Sequence, residues 1–259
     1  MTTATLPAEA PAGADAPMKT PSIARLVRVE LRKMTDTRAG FWLLLVTLLL
    51  ALAGLILTVA FAPDEDRTFK QLFRTSMDLT SLLASVLAIL VVTSEWSQRT
   101  ALSTFTLVPK RERVITAKAL AVVVFALVIS INCLLLGVIG TVFSSGPDKW
   151  SLSLGEFATG TLLQTLGMLG AFAIGLALMS SAPAIVLAYT LPIVFAILAE
   201  TIPGFRDTAD WLDTTAPGEA LWTDAGDGTA WAQLATAWGI WLGIPLAIGL
   251  ARLRRVELA

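Results

Sequence analysis

Long uncharged stretches alternate along this chain with short segments that hold nearly all of its charge. Five stretches contain no Asp, Glu, Lys or Arg: residues 39–63, 79–94, 119–147, 157–199 and 228–251. A helix rises 1.5 Å per residue, so about 20 apolar residues cross the hydrocarbon core of a bilayer. Four of the stretches suit one crossing each. The stretch at 157–199 holds 43 residues, twice what one crossing needs, and Ser180-Ser181-Ala182-Pro183 divides it at a place where one helix stops and a proline opens the next. The pattern predicts an all-α integral membrane protein with six spans, at about 41–62, 77–95, 118–142, 157–179, 183–200 and 230–251.

A different periodicity precedes the first span. Over residues 22–34, Ile23, Leu26, Val27, Leu31 and Met34 share one helical face, and Arg25, Arg28 and Arg32 lie opposite. This predicts an amphipathic helix within residues 22–38, lying in the membrane interface. It is either a passive lipid anchor or an element with a working role. Glu30 falls inside the apolar arc, where an unpaired carboxylate is costly, so a partner is expected: Lys33 at i+3, or a base from the cytoplasmic segment between the second and third spans. Residues 1–21, rich in Ala, Pro and Thr with no apolar run, are expected to form a disordered tail. The six-span domain is expected over 39–259.

Composition agrees with this reading. The chain is 55% hydrophobic and 15% charged, with a mean hydropathy of +0.73. It has no histidine, and its single cysteine, Cys133, allows neither an internal disulfide nor a thiolate zinc site. The formal charge of −1 is too balanced for a nucleic-acid binder. Its distribution is more informative. Lys19, Arg25, Arg28, Arg32, Lys33 and Arg38 precede the first span; Arg99, Lys110, Arg111, Arg113 and Lys118 lie between the second and third; Arg252, Arg254 and Arg255 follow the sixth. Only Arg67, Lys70, Arg74, Lys149 and Arg206 fall on the other side, so fourteen of nineteen basic residues share one face. By the positive-inside rule both termini are cytoplasmic in a multi-pass plasma-membrane protein. A single span over 157–199 would put Arg252, Arg254 and Arg255 on the wrong side.

The segment at 96–117 carries the most information. Glu95 and Arg99 are four apart and suited to stiffen a bend, Leu102, Phe105 and Leu107 form an apolar cluster, and Pro109 breaks the chain before Arg111. An apolar cluster on a basic loop suits either the bilayer surface or a docked protein. Other polar and small residues read as packing. Asn132 and Gln164 are the strongest polar groups inside the spans, suited to hydrogen-bond between helices or to line a pathway. Gly239 and Gly243 on the sixth span, and Gly167 and Gly175 on the fourth, allow close helix approach, and Pro192 and Pro245 are expected to kink their helices. The outer loop at 201–229 is acidic and interleaved with Trp211 and Trp222, which predicts short helices at the outer interface.

Glu30-Leu31-Arg32-Lys33 on an interfacial helix, six spans, and the series Glu95, Arg99-Thr100, Leu107, Pro109, Arg111 and Lys118 resemble the permease subunit of bacterial type-2 ABC transporters, a mostly exporting class. The resemblance covers nearly the whole chain from Ser22. It implies that residues 22–38 are the elbow helix and that the loop at 96–117 holds the coupling helix, with residues 99–107 seated on a cytoplasmic ATPase subunit. It also implies a second permease subunit, the same or related. No phosphate-loop motif occurs in the chain, so ATP and Mg are expected on the partner ATPase, with no cofactor or catalytic residue here. An ion-coupled carrier is disfavoured, because no charged residue lies near the centre of any span. The competing reading is a membrane scaffold or sensor subunit whose loop docks a different cytoplasmic protein.

Overall fold

The computed structural model describes residues 21–97, 111–144, 149–202, 204–223 and 228–255. The expected tail lies outside these, apart from Pro21, and among the described residues there is no strand. Helix α1 (Ile23–Asp36) starts at Ser22, whose hydroxyl accepts from the Arg25 N–H at 3.3 Å. Thr37 then breaks the helix in an extended conformation and caps α2 (Arg38–Phe61), its Oγ1 accepting from the Gly40 N–H at 3.1 Å. The corner is so tight that a Cβ on Gly40 would overlap the Met34 carbonyl oxygen. Only glycine fits there.

Beyond α2 come a short 3-10 turn (Asp64–Asp66), α3 (Phe69–Ser97), α4 (Arg111–Val142), α5 (Leu154–Leu178) and α6 (Ser181–Thr201). Two short helices, α7 (Arg206–Ala209) and α8 (Ala216–Thr223), lead to α9 (Gly228–Trp241) and α10 (Gly243–Arg255). Six segments are long and apolar enough to cross a membrane: Arg38–Phe61, Phe69–Trp96, Arg111–Val142, Leu154–Leu178, Ser181–Thr201 and Gly228–Arg255. This is the architecture of a multi-pass helical membrane protein.

The second and third spans begin earlier than their apolar cores, at Phe69 rather than about 77 and at Arg111 rather than about 118. Hydropathy marks where a helix enters hydrocarbon, whereas these helices continue into polar surroundings because their charges find partners. Lys70 pairs with Glu156 at 2.6 Å, and Arg74 pairs with Glu219 while lying over the Trp222 ring. The hairpin within residues 157–199 forms as expected. Met179 ends α5 in the left-handed conformation (φ 53°) and donates to the Gly175 carbonyl at 2.8 Å; Ser180 is extended, and α6 follows at once. At the other end of α5, Ser153 and Glu156 form a capping box.

The two interior prolines act differently. Pro192 stays within α6, but Pro245 divides the sixth span: α9 stops at Trp241, four residues before it, where the proline ring meets the helix carbonyl it cannot donate to.

Helix α3 is the centre of the bundle, packed against α2, α4, α5 and α6. Phe73, Met77, Leu87, Val91 and Val92 of α3 meet Val122 and Phe125 of α4 and Met168, Phe172 and Leu176 of α5 in one buried core. Lipid offers helices as apolar a neighbour as each other, so close fit and small residues matter more here than transfer from water. Gly175 serves that fit, since a Cβ there would lie 2.8 Å from Val92. Gly167, Gly239 and Gly243 do not: a Cβ on any of them would meet nothing within 4 Å. The sixth span packs on α5 through Gly249 instead, where a Cβ would come 2.6 Å from Leu176.

Neither expected interhelical hydrogen bond forms among the described residues. Asn132 is exposed, because the buried stripe of α4 runs through Ile129, Ser130, Cys133 and Leu136 and leaves position 132 outward. Gln164 is buried with its Nε2 unpartnered. The acidic loop does contain short helices; Trp222 is buried against Phe73, with ring centroids 6.0 Å apart, while Trp211 is exposed.

Candidate functional site

Among the described residues, the densest group of charges lies where α1 meets the start of α4 and the end of α3. On α4, Val114, Ala117, Lys118, Ala121, Val122 and Phe125 form one inward stripe, which leaves the Lys118 side chain with no solvent exposure. An ammonium group buried in this way is tolerable only if each of its three donors finds an acceptor. The Lys118 Nζ lies 2.7 Å from Glu30 Oε2 on α1, 2.9 Å from the Val91 carbonyl on α3 and 3.1 Å from Glu95 Oε1. All three donors are satisfied.

The two carboxylates are buried to nearly the same degree, each 5% exposed. Lys33, one helical turn beyond Glu30, bridges them from the outside, with Nζ at 2.8 Å from Glu30 Oε1 and 3.0 Å from Glu95 Oε1. Two lysines and two glutamates therefore close a formally neutral ring across three helices. Lys33 stays partly in solvent; burial alone would depress its pKa, but the hydrogen bonds and charges of Glu30 and Glu95 outweigh that and hold it above the ordinary lysine value.

Around this ring, arginines satisfy carbonyls at helix ends, where the last turn leaves acceptors unpaired and the dipole favours a cation. Arg252 donates to Ala177 at the end of α5 and Arg111 donates to Leu253 at 3.0 Å in the last turn of α10, while Arg113 ties the segment before α1 by donating to the Pro21 carbonyl at 2.9 Å. Arg254 pairs with Glu112 at 2.8 Å, and Thr93 shares a hydrogen bond with Ser181 at 2.8 Å. The bundle end that collects these basic residues is thus stitched from α1, α3, α4, α5, α6 and α10.

Four residues singled out in the sequence, Glu30, Lys33, Glu95 and Arg111, come together at this end. Both partners anticipated for Glu30 are present at once, Lys33 from its own helix and Lys118 from across the bundle. Arg99, Thr100, Leu102, Phe105, Leu107 and Pro109 lie outside the described residues, and so does the anticipated pairing of Glu95 with Arg99. The sequence named Lys118 among the bases of that segment but did not single it out as the one that pairs with Glu30 and Glu95. Its signal was positional: it falls on the apolar stripe of α4, four residues after Val114 and four before Val122.

No family model matches the chain, and no curated protein matches it significantly.

Proposed function

We propose that this chain is the permease subunit of an ATP-driven type-2 ABC exporter in a bacterial plasma membrane. Two such subunits form a pathway, and separate ATPase subunits dock on the cytoplasmic loop between the second and third spans. The observation that carries this reading is the closure of that loop: Glu95, just before it, and Lys118, just after it, are 3.1 Å apart, and α1 pairs with both, Glu30 with Lys118 and Lys33 with Glu95. A load applied to residues 96–117 reaches α3, α4 and α1 together, because the buried ion pairs make their ends one body. That is what a motor docked on the loop requires, and it needs hinge or rigid-body motion rather than chemistry in this chain.

Further support comes from charge and surface. The bundle end bearing α1 and the Arg252 to Arg255 cluster carries the basic excess expected of a cytoplasmic face. Helix α6 buries little beyond Ala184, and Asn132 projects from α4, so apolar faces with a polar contact point are free to meet a second subunit. ATP and Mg belong to the partner ATPase.

Affinity purification of the tagged protein from membranes in mild detergent, followed by mass spectrometry and an ATPase assay on the eluate, tests the reading. A phosphate-loop ATPase is expected, and Phe105→Asp or Leu107→Asp should release it without altering insertion. Recovery of a non-ATPase cytoplasmic partner, or an ATPase retained unchanged by both variants, would favour the scaffold or sensor role instead.

A further inference from the structure

At the bundle end opposite the charge ring, α5, α6, α9 and the segment between α7 and α8 enclose a cavity of about 550 Å³, open on one side. Drug-sized ligands occupy sites of this size, typically apolar walls with a few placed polar groups. Here the walls are small and aromatic: Gly167 of α5, Phe195 of α6, and Trp238 and Trp241 of α9. The rim is acidic, formed by Glu200, Asp210 and Asp213, and no lysine or arginine lines it among the described residues.

The parts are held in place before any ligand arrives. Phe195 meets Trp241 edge-on, with ring centroids 5.8 Å apart, and the Trp241 indole N–H donates to the Leu212 carbonyl at 2.7 Å. Asp213 accepts from the Thr215 and Ala216 N–H groups at 2.7 and 3.3 Å, which fixes its carboxylate at the start of α8. Among the described residues, Glu200 and Asp210 have no ion-pair partner. Two exposed carboxylates at the mouth of an aromatic-walled cavity attract a cation that also carries apolar bulk. They repel a phosphate headgroup.

We propose that this cavity binds a hydrophobic organic monocation, its apolar groups against Phe195, Trp238 and Trp241 and its charge toward Glu200 and Asp210. As the cargo of an exporter this ligand class rests on the transport reading above; as a binding site it rests on this chain alone.

Tritiated tetraphenylphosphonium and its anionic counterpart of the same shape, tetraphenylborate, separate charge recognition from partition into apolar space. The full-length protein, purified in lipid nanodiscs without any ATPase, should bind the phosphonium saturably and the borate only in proportion to lipid. The Glu200→Gln/Asp210→Asn variant, which alters only exposed groups, should weaken phosphonium binding about tenfold. Gly167→Leu provides a steric block, because a Cβ there meets nothing within 4 Å and the position lines the cavity; it should abolish saturable binding in a normally folded protein. Equal retention of both ions, no saturable phosphonium binding, or binding unchanged in these variants overturns the site. Those results leave ATPase recovery untouched, and failure to recover an ATPase leaves phosphonium binding untouched, so the two readings fail separately.

Discussion

Lys118 reaches 88 residues back along the chain to bond Glu30 at 2.7 Å, and it does so with no exposure to solvent. Lys118→Met removes that ammonium and leaves two buried carboxylates sharing the half-exposed Lys33. Breaking a buried ion pair from one side costs about 3–5 kcal/mol. The expected outcome is a large drop in thermal stability of the purified protein. The Glu30→Gln/Lys118→Met double variant keeps the Lys33 and Glu95 pair and should recover part of the loss; recovery of none would mean that the ring is not the source of the stability.

Glycine substitutions should have opposite effects at two sites. Gly40→Ala places a methyl group on the Met34 carbonyl at the α1–α2 corner, and overpacking of this kind costs about 1–3 kcal/mol. Increased protease cleavage of α1 is expected alongside the lower melting temperature. Gly239→Ala meets open space within a helix and should leave stability unchanged or raise it by up to about 1 kcal/mol. Equal effects at both sites would show that the corner is looser than described.

Asn132 gives a handle on self-association. An exposed amide on a spanning helix is satisfied best by a polar group on another helix, an interaction of about 1 kcal/mol in membranes. Asn132→Leu should therefore shift the protein toward monomer in dilution experiments in detergent, monitored by energy transfer between labelled copies. An unchanged dimer fraction places the contact elsewhere.

The alkaline limb of stability should report on Lys33. Its pKa is raised in the folded state from 10.5, so its contribution is complete below 10.5 and disappears as pH climbs through the higher folded value. Melting temperatures should fall less steeply above 10.5 in Lys33→Gln than in the unaltered protein. Parallel curves would mean that Lys33 contributes nothing through its charge.

Span number, the hairpin at 180–183 and the need for a partner at Glu30 were all legible in the sequence, because apolar length and helical phase are local properties. Helix ends were less so: α3 and α4 extend past their apolar cores on charges whose partners, such as Glu156 and Glu219, are far away in sequence. Small residues were least legible. Gly175 and Gly239 look alike in the chain, yet one touches Val92 and the other nothing, since periodicity gives a face without naming its neighbour. Asn132 and Gln164 illustrate the same limit for polar groups.

The corner at Thr37 bears on how the protein is made. Synthesis runs from the N-terminus, so α1 and Glu30 emerge well before Lys118, and the carboxylate waits through two further helices with only Lys33 beside it. Glu95 joins before its second lysine exists. Completion of the ring thus coincides with synthesis of the third span, and a chain stalled before that point carries an unfinished charge cluster.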